Sequence, residues 1–590
     1  MIQKFEIRLA LTTLLLGISA TASAETRSQA TSASVEETLL GETSFIGTLD
    51  SDSFDTASED GQWVAWRGKA PNDLWAVMVN GEQQGGSYEK VEEPRFLSGG
   101  ARFAFKASQG KKWLYVLDGK QSEAYDDVRY LYLSRDGRRQ AYAATAAGKW
   151  AMVIDGESSM RVLGENKIQG IAYDEVGPAR FSPDGKSVAY RVRKDKKESL
   201  IFDGSAGPAY DEIGDPFFPG EDQAPVYPAK RKKKWVVVAG GKELGPEMDD
   251  IWRGTMMLNG QVLMSGLPFT ITRSAGFVYA GWMRGTLAPV VVAGGEARPA
   301  ADTGLRHHAI AWPVFFGEEG RRFAYAAAEV RYGFGGGAKG FGQVIVDAVP
   351  GPVFEGQSTK SLGRFFLEAA AGYVSQKGLV EGVAPFSARW YGVSRPEVSP
   401  DGEHVAYGAR RGEVDFVVIA DGQPGPSFED IQCGPLYTAR GTLVYVGEEK
   451  ESLVLVRNQE RAAEFRWKDA DCDDILIAGE DHVVFSARGN APGDGEKKMR
   501  VFVDGEPGPE LDAARVKLAA RVHEKKLRVA YGVVGMREEE GYYYVVVDGR
   551  EGSRYDWVAA LRIEDDGSVG YVARKGRRFF RLQHRAPASP

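Results

Sequence analysis

The chain has 590 residues, a length that suits two large domains better than one. Its 43% hydrophobic and 26% charged content exclude a disordered chain, and a net charge of −8 argues against general nucleic-acid binding. Two cysteines exclude a disulfide-built scaffold but leave room for one bridge.

At the N-terminus Lys4 and Arg8 precede a short apolar run, Leu9 to Ile18, too short to span a bilayer. Ala22-Ser23-Ala24 is a small-residue cleavage site. This pattern predicts a signal peptide over 1–24 and export to the periplasm or beyond, with a retained signal anchor as the alternative. The absence of a nearby cysteine argues against a lipoprotein, and no later apolar run is long enough to cross a membrane. Residues 25–43 read as a flexible leader, rich in Ser, Thr and Ala at first.

From residue 58 onward the chain repeats. A decapeptide recurs as FLSGGARFAF (96–105), LSRDGRRQAY (133–142), FSPDGKSVAY (181–190), FGEEGRRFAY (316–325) and VSPDGEHVAY (398–407), with SEDGQWVAW (58–66) as an early copy. Each copy is followed by a β-branched and aromatic run closed by Asn-Gly or Asp-Gly, such as KWLYVLDG (112–119) and KWAMVIDG (149–156). These dipeptides favour the tight type I′ hairpin turn. A third element then follows, such as AYDDV (124–128), AYDEV (172–176) or RYDWV (554–558). The pattern predicts four strands per unit: a ending at the first turn, b carrying Val-Ala-Tyr, c ending at the second Asp-Gly, and d carrying Tyr-Asp-Glu.

Asp118 to Asp155 spans 37 residues. A four-stranded antiparallel unit at about 40 residues is a β-propeller blade. The fold class expected is therefore all-β: eleven units and a partial twelfth over 561–583 that lacks strand d. SFIGTL (44–49) is the strand expected to complete it. Since one ring ordinarily holds about 4–8 blades, two six-bladed rings are expected, over 44–305 and 306–590, with a seven-plus-five division as the alternative. Two segments break the period: RYGFGGGAKGFG (331–342), and 365–392 between two units. Long irregular loops are uncommon unless functional or disordered, so both are places to look for contacts.

The pattern resembles the WD40-like repeats of the TolB type found in bacterial periplasmic β-propellers. The likeness is carried by Phe181-Ser-Pro-Asp-Gly with Val188-Ala-Tyr190, and by Val398-Ser-Pro-Asp-Gly with Val405-Ala-Tyr407. The resemblance implies a propeller, usually six-bladed, with a protein-binding role in the cell envelope. The chain departs from it in leaving no room for a separate N-terminal domain before the repeats. It also lacks any Trp-Asp, the dipeptide that ends strand c in WD40 chains.

Candidate chemistry is sparse. Ser182 and Asp184 read as turn formers rather than a nucleophile site, since no histidine lies nearby in sequence and no Gly-x-Ser-x-Gly elbow exists. The repeated carboxylates of Tyr-Asp-Glu read as solvated outer-strand groups. His307, His308, His404, His482, His523 and His584 have no zinc spacing, and GFGGGAKGFG lacks the ending of a phosphate loop. No catalytic residue, cofactor or metal is therefore expected.

The b–c hairpins, by contrast, are basic. They carry Arg193, Lys194, Lys196 and Lys197; Lys230, Arg231, Lys232, Lys233 and Lys234; Arg410 and Arg411; and Arg574, Lys575, Arg577 and Arg578. In a blade the b–c loops and d–a links share one face, which predicts a face rich in Lys and Arg that suits an envelope protein or a polyanionic glycan, against the plainer reading of solvated hairpins. Arg95, Arg180 and Arg562 occupy one place in strand a and are candidate channel residues. Cys433 and Cys472 are equivalent positions in consecutive units, so an exported chain can bridge them if the geometry allows. The resulting expectation is an exported, monomeric binding scaffold, with a propeller-type glycan lyase or hydrolase as the alternative.

Overall fold

The computed structural model describes most of residues 35–585; 43–54, 300–308 and 360–391 lie outside the described residues, with shorter breaks elsewhere. The predicted signal peptide and the irregular segment 365–391 therefore fall outside them, as do His307 and His308. The described residues form antiparallel sheets of four or more strands in chain order, with two short accessory hairpins, Met160–Gly164 with Lys167–Gly170 and Thr255–Leu258 with Gln261–Ser265. We number the larger sheets as blades 1 to 12. Blade 4 is representative: strand a is Glu175–Phe181, b is Val188–Lys194, c is Lys197–Phe202 and d begins at Ser205–Ala206. No helix among the described residues is long and apolar enough to cross a membrane.

The repeat residues build these blades for identifiable reasons. In the a–b turn of blade 4 the Ser182 hydroxyl donates to Asp184 at 2.6 Å and accepts the Ser187 N–H at 2.9 Å. Gly185 supplies the left-handed residue, at φ 73°. Ser58, Ser134 and Ser399 make the same turn with Asp60, Asp136 and Asp401. In the c–d turn Asp203 sits at φ 45° and Gly204 at φ 80°, a type I′ geometry. The Asp203 carboxylate then accepts the N–H of Val188, fixing the turn to the start of strand b at 2.8 Å. Asp118, Asp155, Asp347, Asp421, Asp504 and Asp548 repeat this bond. The cores lie between adjacent blades. Tyr115, Leu117 and Tyr125 of blade 2, for instance, pack with Val128, Leu131 and Tyr142 of blade 3.

Two expectations are corrected. Tyr-Asp-Glu is not one strand. Its aromatic residue ends strand d, as in the bridge from Tyr125 to Trp113, whereas Asp127-Val128 already pairs with strand b of the next blade. The motif therefore straddles two blades. The strand that completes the last blade is Val35–Glu42, inside the stretch read as leader, and it pairs antiparallel with Arg578–His584; residues 44–49 lie outside the described residues. In VEETLLGE only Leu40 and Gly41 are partly buried.

The first and last blades also share a core. Val64 and Trp66 of blade 1 pack with Val572 and Phe579 of blade 12, and the Trp66 and Phe579 rings stack at 4.7 Å.

Candidate functional site

Several d–a links set an aspartate against the next b–c turn. Asp126, Asp174 and Asp211 accept from Lys112, Lys149 and Lys197 at 2.5, 2.6 and 2.6 Å. Their second oxygens accept the turn N–H of the following blade, from Ala147, Asp195 and Lys232, at 2.9, 3.0 and 3.0 Å. The lysine bond comes first among the causes that hold each of these carboxyls below its usual range. Carboxylates read from sequence as solvated groups are thus clasps between neighbouring blades.

These acids neutralise part of the predicted basic face. Lys197 pairs with Asp211, Lys234 with Asp249 and Arg193 with Glu175. Lys230 pairs with Glu212 at 3.5 Å, Arg231 with Glu243 at 2.9 Å, Arg411 with Asp415 at 3.0 Å and Arg578 with Glu42 at 3.1 Å. Arg410 donates to the carbonyls of Glu355 and Glu413, and Arg574 lies in the last blade's strand b.

The hairpin tips differ from the stems. Lys194, Lys196, Lys232, Lys233, Lys575 and Arg577 are exposed. None of them makes an ion pair among the described residues. Lys196, Lys232 and Lys233 sit at φ 66°, 49° and 70°, in turn positions that Asn and Gly fill more comfortably.

Arg95, Arg180 and Arg562 lie on strands a of blades 2, 4 and 12. Arg95 donates to the carbonyl of Leu131 in blade 3 at 3.1 Å, and Arg180 lies over the Tyr132 ring at 5.2 Å. Arg562 instead pairs with Glu564, at 2.5 Å, within its own blade. Two of the three thus converge on the same inner strand of blade 3.

Cys433 and Cys472 form a disulfide between blades 9 and 10, with Cα atoms 5.9 Å apart, inside an apolar cluster with Trp467 and Phe485. His404 and His482 each bond an aspartate of the c–d turn, Asp421 and Asp504, at 2.6 Å. Arg139, Arg322 and Arg528 do the same for Asp155, Asp347 and Asp548 at 2.8–2.9 Å, so the histidines hold turns. Among the described residues no cluster of three metal-ligating side chains exists.

Sequence reasoning missed two half-buried carboxyls near the bridge. Glu448 in blade 9 and Asp473 in blade 10 are both pushed above their usual range, chiefly by burial. Gln432 donates to Glu448 at 2.7 Å. Nothing in their local sequence separates them from the many exposed acids.

Neither a protein-family model nor a curated protein matches the sequence. Among solved structures the chain is similar to BamB from Moraxella catarrhalis, at 9% identity over 68% of this chain and 93% of that one, with a TM-score of 0.25. It is also similar to the β-propeller domain of the Trilobed protease from Pyrococcus furiosus, at 13% identity over 52% and 97%, with a TM-score of 0.22. An ancestral GH74 enzyme matches at 9% identity over 90% and 87%, with a TM-score of 0.21. At such scores the likenesses carry no argument; the blade topology itself makes this a β-propeller repeat protein.

Proposed function

We propose that the chain is an exported propeller scaffold that docks an acidic envelope partner, a protein or a polyanionic glycan, on its b–c face. One observation carries the reading. The hairpin tips of neighbouring blades 4 and 5 present Lys196, Lys232 and Lys233 at strained positive φ, unpaired among the described residues, while the stem cations are neutralised. Other turns of the chain also place residues other than Asn or Gly at positive φ, Ala147 and Lys450 among them, so the support lies in the exposed, unpaired charge of the three lysines rather than in their backbone angle.

A pull-down from envelope extract with the mature protein and its K194E/K196E/K232E/K233E variant tests this. The wild type should retain a partner at low salt and lose it as salt rises, and the variant should retain none. Equal recovery by both proteins defeats the proposal. Export is part of the same reading and rests on the signal-like N-terminus; N-terminal sequencing of the mature protein should begin at Glu25. A monomer is proposed as the working state.

The ring division at 305/306 is proposed with one amendment. Blades 1 and 12 share a core, so the two halves of the chain meet there as well as through the backbone. The alternative, a glycan-cleaving enzyme, needs acids at a channel mouth; Glu448 and Asp473, raised chiefly by burial, are its candidates. In that reading Glu448→Gln would abolish turnover of an acidic polysaccharide.

A further inference from the structure

Strand c runs into an aspartate of the c–d turn at Asp118, Asp155, Asp203, Asp347, Asp421, Asp504 and Asp548. Blade 12 has no such turn, because its outer strand is the N-terminal Val35–Glu42. The register puts His584 at the equivalent position. In blade 4 Tyr190 pairs with Ile201, and Val188 and Asp203 exchange hydrogen bonds. In blade 12 Tyr571 pairs with Leu582, and Val569 with His584. A titratable base thus stands where other blades carry an acid, and on its other side it pairs with Val35, the first residue of the closing strand.

That strand buries few side chains. Its two ion pairs, Glu42 with Arg578 at 3.1 Å and Glu36 with Arg585 at 2.9 Å, join side chains that are each more than half exposed. Such pairs contribute little in water. The strand is therefore held chiefly by its backbone ladder, and a terminal strand with few buried contacts opens at low cost.

His584 is half-buried at the end of this ladder. Its Nε2 lies 3.2 Å from the Tyr571 hydroxyl, and the two rings stack at 5.6 Å. Tyr571 is fully buried. A neutral imidazole can accept the hydroxyl proton at Nε2; an imidazolium cannot. Blade 11 sets Arg528 and Asp548 beside the ring. Arg528 is buried and paired with Asp548 at 2.8 Å, but its Nη1 has no hydrogen-bond partner among the described residues. From the closing strand, the charge of Glu37 reaches Tyr555 and Tyr571, while Glu36 is taken up by Arg585. Burial, and then Arg528, hold His584 below the ordinary histidine range, with Asp548 opposing them. The folded chain thus favours the neutral ring. Closure is at full strength above about pH 6.5 and weakens as pH falls from there toward the lower folded value.

We propose that His584 is an acid-sensitive latch on the closure of blade 12. When the imidazole takes a proton it gives up the Tyr571 hydroxyl bond beside a buried arginine, and Val35–Glu42 separates from Arg578–His584. Leu40 of that strand packs on the core shared by blades 1 and 12, so release also loosens their contact. The latch depends neither on the hairpin tips nor on their partner.

Hydrogen–deuterium exchange of residues 35–42 at about pH 7.5 and about pH 5, corrected for the intrinsic rate, tests it. Protection in the wild type should fall at least about fivefold at the lower pH, while Leu443–Glu449 in blade 9 stays protected. His584→Gln keeps an uncharged acceptor for Tyr571, and its protection should agree at the two pH values within about twofold. An imidazole NMR titration of wild-type His584 should have its midpoint below about pH 6.5, at the pH where residues 35–42 lose protection. Equal wild-type protection at both pH values, the same loss in His584→Gln, or a midpoint at or above about 6.5 overturns the proposal. Should His584→Gln fail to fold, the wild-type exchange and titration decide the matter together.

Discussion

The contact between Trp66 and Phe579 joins residues more than five hundred positions apart, and it decides how the blades close. Both side chains are fully buried, the rings are nearly parallel at an interplanar angle of 17°, and Trp557 meets Phe579 edge-on at 6.3 Å. Trp66→Leu and Phe579→Leu each remove part of a large buried surface and should cost about 1–3 kcal/mol. The Trp66 cost should fall at the low end, since its indole N–H is buried without a hydrogen-bond partner among the described residues, and leucine removes that penalty. The double variant is the informative one. A stacked pair contributes about 0.5–1.5 kcal/mol beyond area burial, so the two costs should fall short of additivity by that amount. Urea unfolding followed by far-ultraviolet circular dichroism, with equal slopes in all four proteins, gives the coupling. Additivity within about 0.3 kcal/mol would mean that the rings do not touch, and the closure of blade 12 on blade 1 would fall with it.

Other consequences follow from the repeated bonds. Asp126→Ala removes a capped turn N–H and an ion pair that is partly exposed and screened; it should cost about 1–2 kcal/mol in urea unfolding, and Asp126→Asn less. His404 has its pKa raised by the bond to Asp421. Its contribution to stability should be complete below about pH 6.5 and lost as pH rises through the higher folded value; a proton NMR titration of His404 and a flatter pH dependence in His404→Gln would show this. Asp184 is held down at about 2, chiefly by the Ser182 hydroxyl, so its turn should keep its full contribution above about pH 4 and lose it as pH falls toward 2, with Asp184→Asn losing less stability than the wild type over that range in acid unfolding. Intact mass with and without reductant should differ by about two hydrogen atoms, the mark of a Cys433–Cys472 bridge; identical masses would refute it.

The blade was legible because its cause is local. Ser-Pro-Asp-Gly and Val-Ala-Tyr set a turn and a strand within ten residues, and six copies carry some form of the signal. The strand-d boundary was misplaced because the bonds that decide it run to the neighbouring blade. Tyr125 pairs backward to Trp113, while Val128 pairs forward to Ala144. A sequence read one unit at a time cannot separate these. The clasp role of Asp126, Asp174 and Asp211 was hidden for the same reason, since each bonds a turn some 21 residues downstream. The closing strand was missed because VEETLLGE carries little hydrophobic pattern: its ladder to Arg578–His584 is chiefly backbone, and backbone bonding leaves no trace in side-chain periodicity.

The same reasoning locates function. In a repeat protein a polar residue present in most blades has a job in every blade, and here those jobs are visible: serine and aspartate close turns, aspartate clasps the next blade, and arginine or histidine steadies the c–d carboxylate. Chemistry specific to a ligand must come from positions that depart from their column. Lys196, Lys232 and Lys233 do so in exposed, unpaired charge. The exposed tips of blades 4 and 5 lie in the first half of the chain, although Lys450 of blade 9 and Lys525 of blade 11 share the positive φ of Lys232 and Lys233. The disulfide and the raised carboxyls fall in the second half, on blades 9 and 10. Reducing Cys433–Cys472 should lower the melting temperature while leaving partner capture by the hairpin tips of blades 4 and 5 unchanged.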